Sequence, residues 1–121
     1  MKKVSRLVAG AAFAVSFGSA AMAAEFNGGS YDVRGTNLDG SKYKGTAEIT
    51  VTSSTTCRIT WNVGTESSGI CMRNGIALAA GYVLGEKVGL VIYEIRDDGT
   101  LDGIWTVADE DGSGTELLIP Q

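Results

Sequence analysis

From residue 31 to residue 119, apolar and polar residues alternate at period two, and no apolar stripe at helical spacing is sustained. The pattern predicts eight strands, over 31–35, 42–52, 57–63, 68–73, 76–84, 88–95, 100–107 and 114–119. Between them stand Asp39-Gly40, Asn74-Gly75, Gly85-Glu86, Asp98-Gly99 and Asp111-Gly112, dipeptides that supply the positive φ angles of tight hairpins. Short connections make neighbours in sequence neighbours in space. The expected fold is therefore all-β, an eight-stranded antiparallel up-and-down barrel, with a β-sandwich as the alternative. Closure removes the open edges that a sheet must otherwise protect. Pro120 is expected just past the last strand, where its missing N–H harms no ladder.

Two strands have clean faces. Tyr43, Ala47, Ile49 and Val51 are expected inward on the second, and Cys57, Ile59, Trp61 and Val63 on the third. Thr46, Glu48, Thr50, Arg58, Thr60 and Asn62 then face water. The fourth strand conflicts with this scheme, because turning Cys71 inward turns Ile70 and Met72 outward. A bulge near residues 67–69 is one way to relieve the conflict.

The strands over 76–84 and 88–95 are apolar on both faces. Leu78, Ala80 and Tyr82 oppose Ala79, Gly81 and Val83, while Val88, Leu90 and Ile92 oppose Val91, Tyr93 and Ile95. One face can fill an interior, and the other needs a cover. A symmetric homodimer supplies one. Coverage by residues 25–30, or a sandwich with both layers internal, are the alternatives. The strands are short for an outer-membrane barrel and lack aromatic girdles.

Cysteine occurs only at 57 and 71, and the first 23 residues resemble an export signal: Lys2, Lys3 and Arg6, an apolar run over 7–17, then Ala21-Met22-Ala23. The run is shorter than a spanning helix requires. The expected domain organisation is a cleaved leader over 1–23 and a single barrel domain over 24–121, periplasmic or secreted, with no membrane span in the mature chain. In an oxidising compartment Cys57 and Cys71 form one disulfide between adjacent strands. Closing a loop of that size stabilises by roughly 3 kcal/mol in the chain-entropy model. Neither a CxxC spacing nor a histidine is present to make a redox pair or a zinc site.

The leader carries three of the ten basic residues and none of the fourteen acidic ones, so the domain after Ala23 is strongly acidic. Such a surface repels phosphate backbones and anionic headgroups, which argues against nucleic-acid and electrostatic membrane partners. The absence of histidine from all 121 residues removes the usual general base and the triads built on it, so no catalytic residue is assigned. Asp97, Asp98 and Asp102, and Asp109, Glu110 and Asp111, read as hairpin residues. The second group lacks the ligand positions of an EF-hand, and no metal or cofactor is expected. Candidate contact residues are Asn37, Asp39, Asp97 and Asp98, because hairpin tips on a rigid scaffold vary without harming the fold. Asp39-Gly40-Ser41 and Asp98-Gly99-Thr100 echo one another, each with a strand glycine a few residues on, Gly45 and Gly103. Those glycines are expected to make room for Tyr43 and Trp105.

The segments Tyr31-Asp32-Val33-Arg34-Gly35, Cys57-Arg58-Ile59-Thr60-Trp61, Ser68-Gly69-Ile70-Cys71, Gly103-Ile104-Trp105-Thr106 and Gly114-Thr115-Glu116 resemble a group of small exported bacterial proteins labelled hypothetical or fibronectin-binding. The resemblance implies a non-enzymatic binding role toward an envelope or extracellular-matrix protein such as fibronectin. In size and strand number the chain is similar to avidin-like and lipocalin-like barrels, which implies the alternative, a carrier of a small apolar ligand. A filled interior favours the first reading. A cavity lined by Trp61, Tyr82, Tyr93 or Trp105 favours the second.

Overall fold

The computed structural model describes residues 26–121, and the expected leader over 1–23 lies outside the described residues. Eight strands follow one another: β1 (Gly29–Thr36), β2 (Lys42–Val51), β3 (Thr56–Asn62), β4 (Glu66–Asn74), β5 (Ala77–Leu84), β6 (Lys87–Ile95), β7 (Leu101–Val107) and β8 (Gly114–Pro120). Each pairs antiparallel with the next, and β1 also pairs with β8, so the sheet closes into an up-and-down barrel and the sandwich alternative is excluded. Gly40, Gly75, Gly85, Gly99 and Gly112 all take positive φ at the hairpins, as their dipeptides require. Pro120 is the last residue of β8, opposite Tyr31, and not beyond it. A terminal ladder position tolerates the missing donor.

Up-and-down order fixes the two ends. The β1–β2, β3–β4, β5–β6 and β7–β8 hairpins gather at one end, here called the mouth. The other three hairpins and the start of β1 gather at the opposite end. The interior near that second end is filled, with Leu78, Leu101 and Leu118 fully buried and Val33, Ile49, Ile59 and Ile95 nearly so. Each such side chain contributes about 1.5–3 kcal/mol relative to exposure. Phe26 packs against this cluster, with the Arg73 guanidinium 5.8 Å from its ring centroid. It seals the end and leaves the outer face of β5 and β6 uncovered. Val51 is 42% exposed, a departure from its expected inward place, because it ends β2 where the wall stops.

Cys57 and Cys71 lie in direct register and are joined, with Cα atoms 4.9 Å apart. The register of β3 with β4 runs unbroken from Thr56–Met72 to Asn62–Glu66, so no bulge relieves the alternation. Ile70 and Met72 simply face out, Ile70 being 71% exposed.

Outside, the barrel is two-sided. On β1–β3 the outward residues include Asp32, Arg34, Lys44, Glu48 and Arg58, all exposed. On β4–β7 they include Ile70, Met72, Val83, Val88, Leu90, Ile92 and Ile104, with Glu66, Glu94 and Asp102 toward the strand ends. No helix among the described residues is long and apolar enough to cross a membrane. The charged β1–β3 wall leaves the outward apolar residues gathered on one side of the barrel.

Candidate functional site: an aromatic mouth over a buried carboxylate

β8 places Gly114, Glu116 and Leu118 on its inward face, so a carboxylate stands where alternation calls for an apolar side chain. Glu116 is 7% exposed and is the buried charged residue of the described chain. Its cross-strand neighbours are both glycines, Gly35 on β1 and Gly103 on β7. Beyond each glycine, in direct register, stands a tyrosine: Tyr43 on β2 opposite Gly35, and Tyr93 on β6 opposite Gly103. The row therefore reads Tyr43, Gly35, Glu116, Gly103, Tyr93 across five consecutive strands.

The glycines are spatially required. A Cβ on Gly103 would come within 2.5 Å of the Tyr93 ring, and one on Gly35 would lie 2.3 Å from Cζ of Tyr43. With both side chains absent, each ring has room to cross its neighbour and its hydroxyl reaches the carboxylate. Tyr43 donates to Oε1 at 2.7 Å, Tyr93 donates to Oε2, and Trp61 donates its indole N–H to Oε2 at 2.8 Å. The indole N–H can only donate, so Oε2 is an acceptor. Neutral donors thus solvate the buried carboxylate, and the two ion pairs among the described residues, Lys87–Glu110 and Arg96–Asp102, are exposed and elsewhere.

The tyrosines feel this arrangement. Burial, followed by the negative charge of Glu116, holds the Tyr93 and Tyr43 hydroxyls well above the ordinary phenol range. Tyr82 is pushed up to about 12 by the same two causes in the same order, and Tyr31 is raised by burial. All three hydroxyls near Glu116 therefore stay protonated at neutral pH.

Above the carboxylate lies a cavity of about 200 Å³ that opens at the mouth, walled by Tyr43, Trp61, Tyr82 and Trp105 and floored by Glu116. Tyr43 and Trp105 meet edge to face with centroids 6.2 Å apart, and Trp61 and Tyr82 are tilted at 5.0 Å. Tyr82 is pinned by donating to the Thr106 carbonyl at 3.1 Å, and its ring covers Gly89. Trp105 lies over Gly114, whose added Cβ would sit 2.6 Å from the indole nitrogen. The glycines that make room for Tyr43 and Trp105 are thus Gly35 and Gly114, not the expected Gly45 and Gly103. Gly45 instead lies against the backbone of Asn62 and Val63, and Gly103 serves Tyr93.

Of the residues singled out in the sequence, Trp61, Tyr82 and Trp105 line this cavity, while Tyr93 lies beneath it as a support for Glu116. Asn37 is on the cavity rim, donating to Ser41 Oγ at 3.0 Å. Asp39 is at the tip of the same hairpin, where its Oδ1 accepts from the Ser41 amide at 2.9 Å. Asp98 makes the identical turn with the Thr100 amide, also at 2.9 Å; the Ser41 hydroxyl and then its amide lower the Asp39 carboxyl, and the Thr100 amide and then its hydroxyl lower that of Asp98. The echo in the sequence is shared hairpin chemistry. Asp97 and Asp98 are on the β6–β7 hairpin, at the end opposite Asn37 and Asp39, so the four do not form one surface. Among the described residues no three carboxylates or cysteines gather to hold a metal. Glu116 is not among the site residues expected from the sequence, and its signal was the parity of β8: an acidic residue two before the inward Leu118.

No family model matches the chain, and no curated protein matches it. Among solved structures it is similar to a redesigned beta barrel, with 18% identity over 78% of this chain and 91% of that one and a TM-score of 0.69. It is also similar to a de novo designed fluorescence-activating beta barrel, with 16% identity over 77% and 92% and a TM-score of 0.62. At such identities the likeness is one of fold.

Proposed function

We propose that this chain is an exported, non-enzymatic barrel that binds a small molecule in its mouth. The observation that carries the reading is the open aromatic cavity with one buried polar group at its floor, the arrangement by which barrels hold ligands: apolar walls for affinity, a placed polar atom for orientation. The interior is filled at one end and vacant at the other, which favours the carrier over a barrel packed solid. A similar designed barrel is described as fluorescence-activating, which agrees with a fold that can hold a guest in its interior. The buried disulfide suits the oxidising compartment to which the leader would direct the chain. No group within the cavity is arranged as a nucleophile with its base, so binding without chemistry is the reading adopted. The test is thermal unfolding of the oxidised protein against a panel of compounds with about ten or fewer non-hydrogen atoms, a size set by noting that 150 Å³ already admits benzene. A concentration-dependent rise in Tm with any of them supports the proposal. A panel without effect, and purified protein free of a bound compound in native mass measurement, overturns it.

The outer wall supports a second role. Ala79 and Gly81 on β5 floor a groove of about 850 Å³ between a ridge of Ile70 and Met72 on β4 and a ridge of Leu90 and Ile92 on β6. This alternation of ridge and groove supports a two-fold homodimer that covers the face with no second gene product. An envelope or matrix protein such as fibronectin on the same wall is the competing occupant.

A further inference from the structure

We infer that the guest is a small organic cation, of the methylated-ammonium kind, held by the rings of Tyr43, Trp61, Tyr82 and Trp105 over the Glu116 carboxylate. The inference rests on the carrier reading and specifies its ligand. Three observations carry it. The floor of the cavity is a carboxylate that is 7% exposed, and among the described residues no lysine or arginine lines the cavity. Its hydrogen bonds all come from neutral donors, two on Oε2 and one on Oε1, so they orient the group and leave its charge uncompensated. A buried charge is ordinarily paired, and here the missing partner is a cation that the protein does not supply.

The walls complete the case. Four aromatic rings, in two pairs, line a space of about 200 Å³ together with aliphatic and hydroxyl side chains. The negative faces of such rings attract a cation, and the attraction grows when water is excluded, which is how aromatic cages select quaternary ammonium groups. A neutral guest would gain the apolar contact and lose the electrostatic part. An anion would meet the carboxylate directly. The acidic domain surface reinforces the choice by drawing cations toward the mouth.

The deciding experiment is calorimetric titration of the oxidised protein with choline and with 3,3-dimethylbutan-1-ol, its uncharged equivalent in shape. Choline is expected to bind at least tenfold more tightly. Glu116→Gln keeps the size and an acceptor oxygen, and it should erase that preference. Trp105→Leu, which removes a half-buried wall and no bond to Glu116, should weaken choline at least fivefold and serves should the glutamine variant fail to fold. Equal binding of the two compounds overturns the cation assignment and leaves the carrier reading standing. Choline binding that is unchanged in Trp105→Leu overturns it as well. Binding of neither choline nor any neutral compound of the panel removes both.

Discussion

Tyr43 and Tyr93 reach the same carboxylate from opposite sides of β8, each by lying across a glycine. Tyr43 crosses Gly35 and Tyr93 crosses Gly103, and their hydroxyls end on Oε1 and Oε2 of Glu116. β2 and β6, each two strands away from β8, are thereby tied to it by side chains where no ladder joins them. The same pairing of a ring with a vacant neighbour recurs at Tyr82 with Gly89 and at Trp105 with Gly114. The mouth cavity is in this sense built by glycines, which set how far each ring can lean.

Gly103→Ala forces a methyl into the Tyr93 ring and should cost about 1–3 kcal/mol, the range for overpacking a fitted interior. Gly81→Ala is the matched control, since its Cβ would meet only a Leu90 methyl at 3.9 Å, and it should be neutral or stabilising. Urea unfolding of both variants checks the contrast. Equal losses would refute the role given to Gly103.

Tyr93→Phe removes one donor from a buried carboxylate and should destabilise by about 1–3 kcal/mol, because the lost bond leaves an acceptor partly unsatisfied. Unchanged stability in chemical unfolding would show that Glu116 finds another donor.

All four tyrosines are held above the ordinary phenol value, Tyr82 to about 12. A pKa raised by folding adds stability that is fully present below the unfolded value near 10 and is lost as pH rises through the folded value. Tyrosinate absorbance of the folded protein should therefore develop at higher pH than that of the unfolded chain, and denaturant added at pH 10 should raise it. Titration of two or more tyrosines near pH 10 in a protein that keeps its fold would contradict the packing described.

The buried Cys57–Cys71 bond predicts no titratable thiol in native protein and a loss of about 3 kcal/mol on reduction. Thiol titration with and without denaturant reads the first, and unfolding in reductant the second.

For the outer wall, Leu90→Glu places a charge on a side chain that is 62% exposed, so the barrel should fold while self-association is lost. Sedimentation of the wild type as a monomer at micromolar concentration removes the dimer. Binding of fibronectin by that monomer, abolished by the same substitution, would give the wall to a matrix partner instead.

Fold and cavity were unequally legible in the sequence. Strand number, order and closure followed from period-two alternation and from glycines at turn positions, local signals that the ladder preserves. The outward Ile70 and Met72 were legible too, and the bulge suggested for them arose from assuming that large apolar residues must face in. The Glu116 row was not legible, because it joins residues 43, 35, 116, 103 and 93, and only barrel closure between β1 and β8 brings the first two beside the others. Hairpin chemistry likewise drew attention to Asp39 and Asp98, whose carboxylates are occupied by their own turns.

Both tryptophans of the chain, Trp61 and Trp105, line the cavity, so their two indole N–H resonances report on it directly. Choline titrated into isotopically labelled oxidised protein should shift both resonances along one saturable curve, and Glu116→Gln should move that curve to at least tenfold higher choline. Resonances that stay in place in the wild type, or that follow the same curve in the variant, would contradict a cation seated between the aromatic walls and the buried carboxylate.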